Sequence, residues 1–154
     1  MNTLNILNDT VNRLQRALPR LACELFPDDP DSYRLNHDIG ALLVSYSNTD
    51  FGVSQAVDYV MQEQPVRVVV TLVFRSLNSS RGAISALDEV RRVLAGFRPR
   101  GCHAPYVLVS EKCLGFASGV WQFALVVQAR SMFVQDEPEA PAGIPASLYQ
   151  EEVS

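Results

Sequence analysis

The chain has 154 residues, of which 47% are hydrophobic and 19% are charged, and this composition suits one globular domain with a real core. A formal net charge of −4 argues against nucleic acid as a partner, because phosphate binding needs a basic surface. No apolar run approaches the roughly 20 residues of a membrane span and no signal peptide is visible, so no membrane partner is expected. Three widely spaced cysteines favour a reducing compartment over a disulfide framework.

The first part of the chain predicts a helix and a strand. Apolar residues at steps of three and four predict an amphipathic helix from Leu4 to Leu18, which ends before Pro19. A second short helical turn is expected from Arg20 to Leu25, and a loop rich in proline and aspartate follows at 27–31. Alternating apolar residues then predict a strand from Ala41 to Ser47.

The most informative segment is a long strand from Val66 to Arg75. The residues before it, 51–64, read either as a short strand or as a loop, and Pro65 either separates the two or sits at a bulge or an edge. Since strand side chains alternate between faces, the even-numbered residues from Val66 to Phe74 form one apolar core face. A helix or a neighbouring subunit should cover the other face, which is apolar in the middle and cationic at both ends: Arg67, Val69, Thr71, Val73 and Arg75.

The second half of the chain predicts one more helix and a hairpin. Residues 78–80 supply an N-cap signal for a helix from Ala83 to Phe97. Two further strands, Tyr106 to Lys112 and Val120 to Arg130, should form a hairpin whose turn lies between two glycines.

This order of elements predicts an α+β fold. We expect a single domain over residues 1–135, with a mostly antiparallel sheet and both helices packed on one face. Residues 136–154 form a tail rich in proline and glutamate, with no hydrophobic period, so we expect no regular structure there. The two helices can cover one face of the sheet, and little of the chain remains to cover the other.

Catalytic residues are hard to find. A thiol enzyme could pair Cys102 with His103, or Cys113 with either histidine, but adjacent residues tend to point apart. The favoured interpretation is that the cysteines are small packing or loop residues. No cysteine or histidine pair has zinc-ligand spacing, and no glycine-rich phosphate loop is present, so neither a metal nor a cofactor is expected.

The ordered set of segments is familiar even though no single motif is diagnostic. Together with the leading helix, they resemble the tail terminator, or tail completion, proteins of contractile-tailed, Mu-like bacteriophages and prophages. The resemblance runs from Leu4 to Val134 and leaves the tail out. Four segments carry it: GALLVSYSNTDFG (Gly40 to Gly52), PVRVVVTLVFRS (Pro65 to Ser76), AISALDEVRRVLAGFRP (Ala83 to Pro99) and ASGVWQFALVVQ (Ala117 to Gln128).

The resemblance implies a structural protein of virion assembly and no enzyme. Such a protein forms a hexameric ring, or two stacked rings, that caps the tail tube, ends its polymerisation and meets neck or head-completion proteins. It would reside in the bacterial cytoplasm during assembly and then in the tail of the virion. The alternative from another class is a small-ligand or thiol-dependent enzyme that uses Cys102 or Cys113.

Two surfaces are candidates for contact. The loop from Ser47 to Gln55 should contact the tail tube through Asp50 and Phe51, because Phe51 has no periodic reason to be buried. The opposing interpretation is that Phe51 tucks under the loop as a local core residue. The partly apolar strand face should form the subunit interface through Arg67, Val69, Thr71, Val73 and Arg75.

Overall fold

Two helices and five strands follow one another in the computed structural model, which describes residues 2–137 of the chain. A single 3-10 turn at Pro30–Ser32 interrupts the long loop before the second strand. In chain order the elements are α1 (Thr3–Ala17), β1 (Ala22–Leu25), β2 (Gly40–Thr49), β3 (Met61–Phe74), α2 (Ala83–Leu94), β4 (Ala104–Ala117) and β5 (Val120–Val134).

The strands form one sheet in the order β1-β2-β3-β5-β4. Only the β1–β2 pair is parallel, so the predicted α+β fold with a mostly antiparallel sheet is confirmed. The helical turn predicted from Arg20 to Leu25 was wrong, because Ala22–Leu25 is a strand paired with residues 41–44. Pairing with β2 satisfies the backbone groups of this segment, and so overrides its local preference.

The core lies between the helices and one face of the sheet. Val66, Val68, Val70, Leu72 and Phe74 are at most 1% exposed, which confirms the core face predicted for this strand. Both helices contribute to the same buried cluster, including Ile6 and Leu14 of α1 and Leu87, Val90 and Leu94 of α2. Burying one such side chain contributes about 1.5–3 kcal/mol, so this layer accounts for much of the driving force for folding.

Strand β3 begins earlier than the sequence pattern indicated. It runs without interruption through Pro65, and residues before Met61 form a loop rather than a strand. Pro65 lies one residue past the last β2 pair, Thr49 with Val66, while Arg130 of β5 faces it on the other side. A proline is tolerated there because the strand lacks its β2 partner at that point.

The predicted hairpin of β4 and β5 is present, with a tighter turn than expected. Its two central residues are Ser118 and Gly119, with φ of 53° and 79°. Positive φ at both positions is the geometry whose twist matches that of the flanking strands. Gly115 lies within β4, beside a register shift, and not in the turn.

Helix α2 is capped at Gly82 and not at residues 78–80. A Cβ at Gly82 would stand 2.5 Å from the carbonyl oxygen of Leu77, so a larger residue would force the backbone apart. The Ser79 hydroxyl instead bonds within the preceding turn, to the Ser76 hydroxyl at 2.7 Å.

A polar contact ties α1 to the loop after α2. The Asp9 carboxylate, whose side chain is 10% exposed, accepts the backbone N–H of Arg100 at 2.9 Å and its Nη2 at 2.9 Å. Hydrogen bonds from the Arg100 side chain hold the pKa of Asp9 below its ordinary value. The next residue of α1, Thr10, has a buried hydroxyl that donates to the carbonyl oxygen of Ile6. The Tyr106 hydroxyl lies 2.7 Å from the Thr10 hydroxyl, and it therefore donates to Thr10.

Replacing Asp9 with asparagine should make stability depend less on pH. The pKa of Asp9 is lowered in the folded state, so its contribution is complete above the ordinary value of 3.8 and is lost as the pH falls below it. Asp9→Asn should therefore be less stable than the parent at pH 7, and the difference should shrink below about pH 4. Urea unfolding at both pH values measures this, with the exposed Asp88→Asn as control. An equal difference at pH 7 and pH 3 would contradict it.

Removing the tail after Asp136 should leave the domain folded. The strands, helices and buried clusters described above lie within residues 2–134, and the tail's sequence has no hydrophobic period of its own. The truncated chain should keep the far-ultraviolet circular dichroism spectrum of the full chain, with a cooperative thermal transition. An unfolded spectrum would make the tail part of the core.

Candidate functional site

The sheet has a second face that no helix of residues 2–137 covers, and we call it the open face. Residues paired across neighbouring antiparallel strands share a face, so the register of β3 with β5 defines it. Arg67 stands opposite Gln128, and Val69 opposite Val126. The open face includes Arg67, Val69 and Thr71 of β3, Ala124, Val126, Gln128 and Arg130 of β5, and Val107, Ser110 and Lys112 of β4.

The chain itself covers one end of this face. A second, smaller buried cluster joins Ala41, Leu43, Val73 and Val120, with Phe26, Tyr33 and Leu35 of the loop before β2 packed against it. Arg75 holds the same loop, donating from Nε to His37 O and from Nη2 to Leu35 O, each at 3.0 Å. Of the predicted interface residues, Val73 and Arg75 are therefore engaged within the subunit, and Thr71 is 7% exposed.

The rest of the open face is apolar in the centre, with Arg67, Lys112 and Arg130 around it and Glu63 towards its far end. Val69 and Val126 are half-buried, with no further layer over them among the described residues. Arg67 donates from Nε to Gln128 Oε1 at 3.0 Å. The exposed side chains of Lys112 and Arg130 make no hydrogen bond or ion pair within residues 2–137.

Strand β4 adds an exposed apolar edge to this surface. It pairs with β5 on one side and has no strand on the other within residues 2–137. Val107, Leu114 and Phe116 are 55%, 51% and 56% exposed, and Leu108 and Val109 are exposed as well. Natural proteins usually protect such edges, so an uncovered apolar edge is a candidate contact surface.

The loop after β2 lies at the far end of β3. Phe51 is 53% exposed, and its ring packs edge-on against Phe133, with ring centroids 6.2 Å apart. Asp50 beside it is exposed, and Gly52 anchors the loop by donating to Glu63 O at 3.1 Å. Phe51 thus makes a local contact and still presents much of its surface. Val53 and Val57 are more exposed still, at 86% and 101%.

The thiols and histidines do not come together as a nucleophile and base. Burial raises the pKa of the Cys23 thiol to about 11 and also raises the pKa of Cys102, so both lose thiolate character. His103 Nε2 lies 3.2 Å from Glu63 Oε2, and His37 Nδ1 accepts the backbone N–H groups of Ile39 and Gly40. Cys113 is exposed on the edge strand.

Neither metal ligands nor the arginines of a surface cleft converge within residues 2–137. Residues 2–137 hold no group of three or more histidine, cysteine, aspartate or glutamate side chains placed to bind a metal ion. A cleft of about 420 Å³ lies between the loop at 30–35 and the β4–β5 turn. Its two arginines, Arg34 and Arg75, both donate to backbone carbonyls of the loop, so they do not converge on a common ligand.

Comparison with known proteins adds a family. A family model described as Gp37 protein matches residues 10–149. The chain belongs to the Gp37 protein family. The matched range extends past Val134 and takes in most of the tail, which the resemblance to tail terminators left out.

Comparisons with curated proteins and with solved structures indicate no further family. No curated protein matches the chain. Among solved structures, a chain from the virion of a native gene transfer agent particle is similar, with 13% sequence identity and a TM-score of 0.47. The match covers 83% of this chain and 92% of that one. No helix among residues 2–137 has the length and apolar character needed to cross a membrane.

Proposed function

We propose that the protein is a structural component of a phage or prophage tail, which forms a hexameric ring that caps the tail tube and ends its polymerisation. The observation that carries the proposal is the surface without cover, formed by the open face and the apolar β4 edge. The ordered segments that resemble Mu-like tail terminators support it. The partners would be further copies of the chain, the tail tube and the neck or head-completion proteins. The location would be the bacterial cytoplasm and then the virion.

The subunit interface in this proposal uses the uncovered half of the open face. Arg67 and Val69 would meet the next subunit together with Val107 and its neighbours on the β4 edge, and Thr71 would add its small exposed part of 7%. Val73 and Arg75 would act through the loop that they hold in place. A closed ring joins two different patches of each subunit, so this surface needs a complementary patch elsewhere on the molecule.

The thiol enzyme has little support from the geometry. Cys102 is 3% exposed with a raised pKa, and both histidines are engaged by groups other than a cysteine. A nucleophile would need an adjacent base and an orienting group. Assembly uses the exposed apolar surface, which an enzyme of this kind would leave without a role.

A charge on the β4 edge of the proposed interface should dissociate the ring. Light scattering of the parent protein at micromolar concentration should give about 102 kDa, six times the 17.0 kDa of one chain. Val107→Asp should weaken association at least tenfold, because a buried unpaired carboxylate is costly. Val107 is 55% exposed in the subunit, so the fold should tolerate the change.

The matched control is Ile84→Asp. Ile84 is also apolar and 45% exposed, but it lies on α2, on the opposite side of the sheet. This variant should keep the mass of the parent ring. A parent protein that remains a monomer would overturn the proposed ring, and equal dissociation by both variants would remove the open face from the interface.

Changing the loop after β2 should affect the tail rather than the ring. Asp50→Lys with Phe51→Ala should leave the ring mass unchanged, because the loop lies at the end of the sheet and not on its open face. Phage assembled with this variant should have tails of uncontrolled length, seen by electron microscopy. The control is Asp28→Lys with Leu4→Ala, which changes an exposed acid and a side chain that is also 53% exposed. Tails of normal length from the loop variant would place tube contact elsewhere.

A further inference from the structure

We infer that the acidic tail of one subunit binds the open face of the next subunit in the ring. This inference rests on the proposed ring. It gives that ring the second, complementary patch that a head-to-tail interface needs. The occupant is segment 138–154 of the tail, which lies outside the described residues and carries three of the five acids after Gln135. The acceptor is the apolar and cationic surface around Val69 and Val126.

The charges of the chain are segregated along the sequence. All thirteen lysine and arginine residues precede Gln135, whereas five of the seventeen acids follow it. The body up to Gln135 therefore carries a formal net charge of +1, and the tail carries −5. The acidic character of the protein resides in the tail, and a cationic surface on a neighbour would attract it.

The open face matches the tail in chemistry. Its half-buried valines, Val69 and Val126, lie between Lys112 on one side and Arg67 and Arg130 on the other. The tail carries Leu148 and Tyr149, followed by Glu151, Glu152 and then Val153. The apolar side chains of the tail can pack on the apolar strip of the open face. The carboxylates beside them can then pair with the side chains of Lys112 and Arg130, which flank that strip.

Binding of the tail by a neighbour gives every subunit of the ring identical contacts. Each subunit offers one tail and one open face, which is the stoichiometry that a closed ring requires. The family match through residue 149 includes Leu148 and Tyr149.

The single lysine of the sequence permits a direct test. Lys112 is the one lysine among the 154 residues, and it lies on the open face. A zero-length carbodiimide condenses a carboxylate with an amine that it touches, so the full-length protein is treated with this reagent at micromolar concentration. Mass spectrometry should find Lys112 joined to Glu151 or Glu152. A denaturing gel should show a covalent ladder that extends to six copies.

Two variants control this experiment. Lys112→Arg keeps the positive charge and removes the amine, so the ladder should disappear while the native mass stays that of the ring. Glu151→Gln with Glu152→Gln should also abolish the ladder, and it should raise the concentration at which the ring dissociates about tenfold. The conservative arginine change separates the chemistry of cross-linking from the binding of the tail.

The outcomes separate this inference from the proposed function. The inference is overturned if the protein is a hexamer but Lys112 is cross-linked only to acids of its own chain, or to no acid of the tail. The proposed ring is unaffected by that result. A ladder that stops at two copies indicates exchange within a two-fold pair and overturns it as well. A monomeric native mass overturns the proposed function itself.

Discussion

The structure depends on the unequal coverage of one central strand. β3 pairs with neighbours on both sides, and its even-numbered residues are sealed under both helices. Its odd-numbered residues are covered at one end only, by the loop that Arg75 holds. Because side chains alternate strictly along a strand, the register that buries one set fixes the position of the other. Both helices pack on the first face, so within residues 2–137 much of the second face is open to solvent or to another chain.

The periodic spacing of apolar residues explains which elements could be predicted from the sequence. The stripe of α1, the core face of β3 and the hairpin all follow from spacings within a few residues. Strand β1 could not be predicted in this way, since its four residues become a strand by pairing in parallel with residues 41–44. The contact of Tyr33 and Leu35 with the cluster around Val73 is likewise long-range and leaves no periodic trace.

The sequence predicted which face of β3 lacks cover, but not how far the uncovered surface extends. Alternation placed Arg67 to Arg75 on a face with too little cover, yet Arg75 and Val73 serve the subunit's own loop. The exposed edge of β4 was missed because Val107 is an apolar residue in a predicted strand, a pattern that usually indicates burial. Leu114 and Phe116 lie beyond Lys112, where that predicted strand ended. Only the sheet order shows that this strand is terminal. Val57 in the loop before β3 was missed because exposure in a loop depends on the path of the backbone.

The position of the charges bears on how copies of this chain would meet. A two-fold contact through the open face would set Lys112 and Arg130 of one subunit against the same cations of its partner, which is unfavourable in a partly desolvated interface. A head-to-tail contact avoids that repulsion, because the cationic face meets the acidic segment of a different copy. A head-to-tail contact repeats from copy to copy, and it yields a ring where the rotation closes and an open filament where it does not. The position of five acids beyond the last of the thirteen bases therefore favours a head-to-tail contact over a two-fold one.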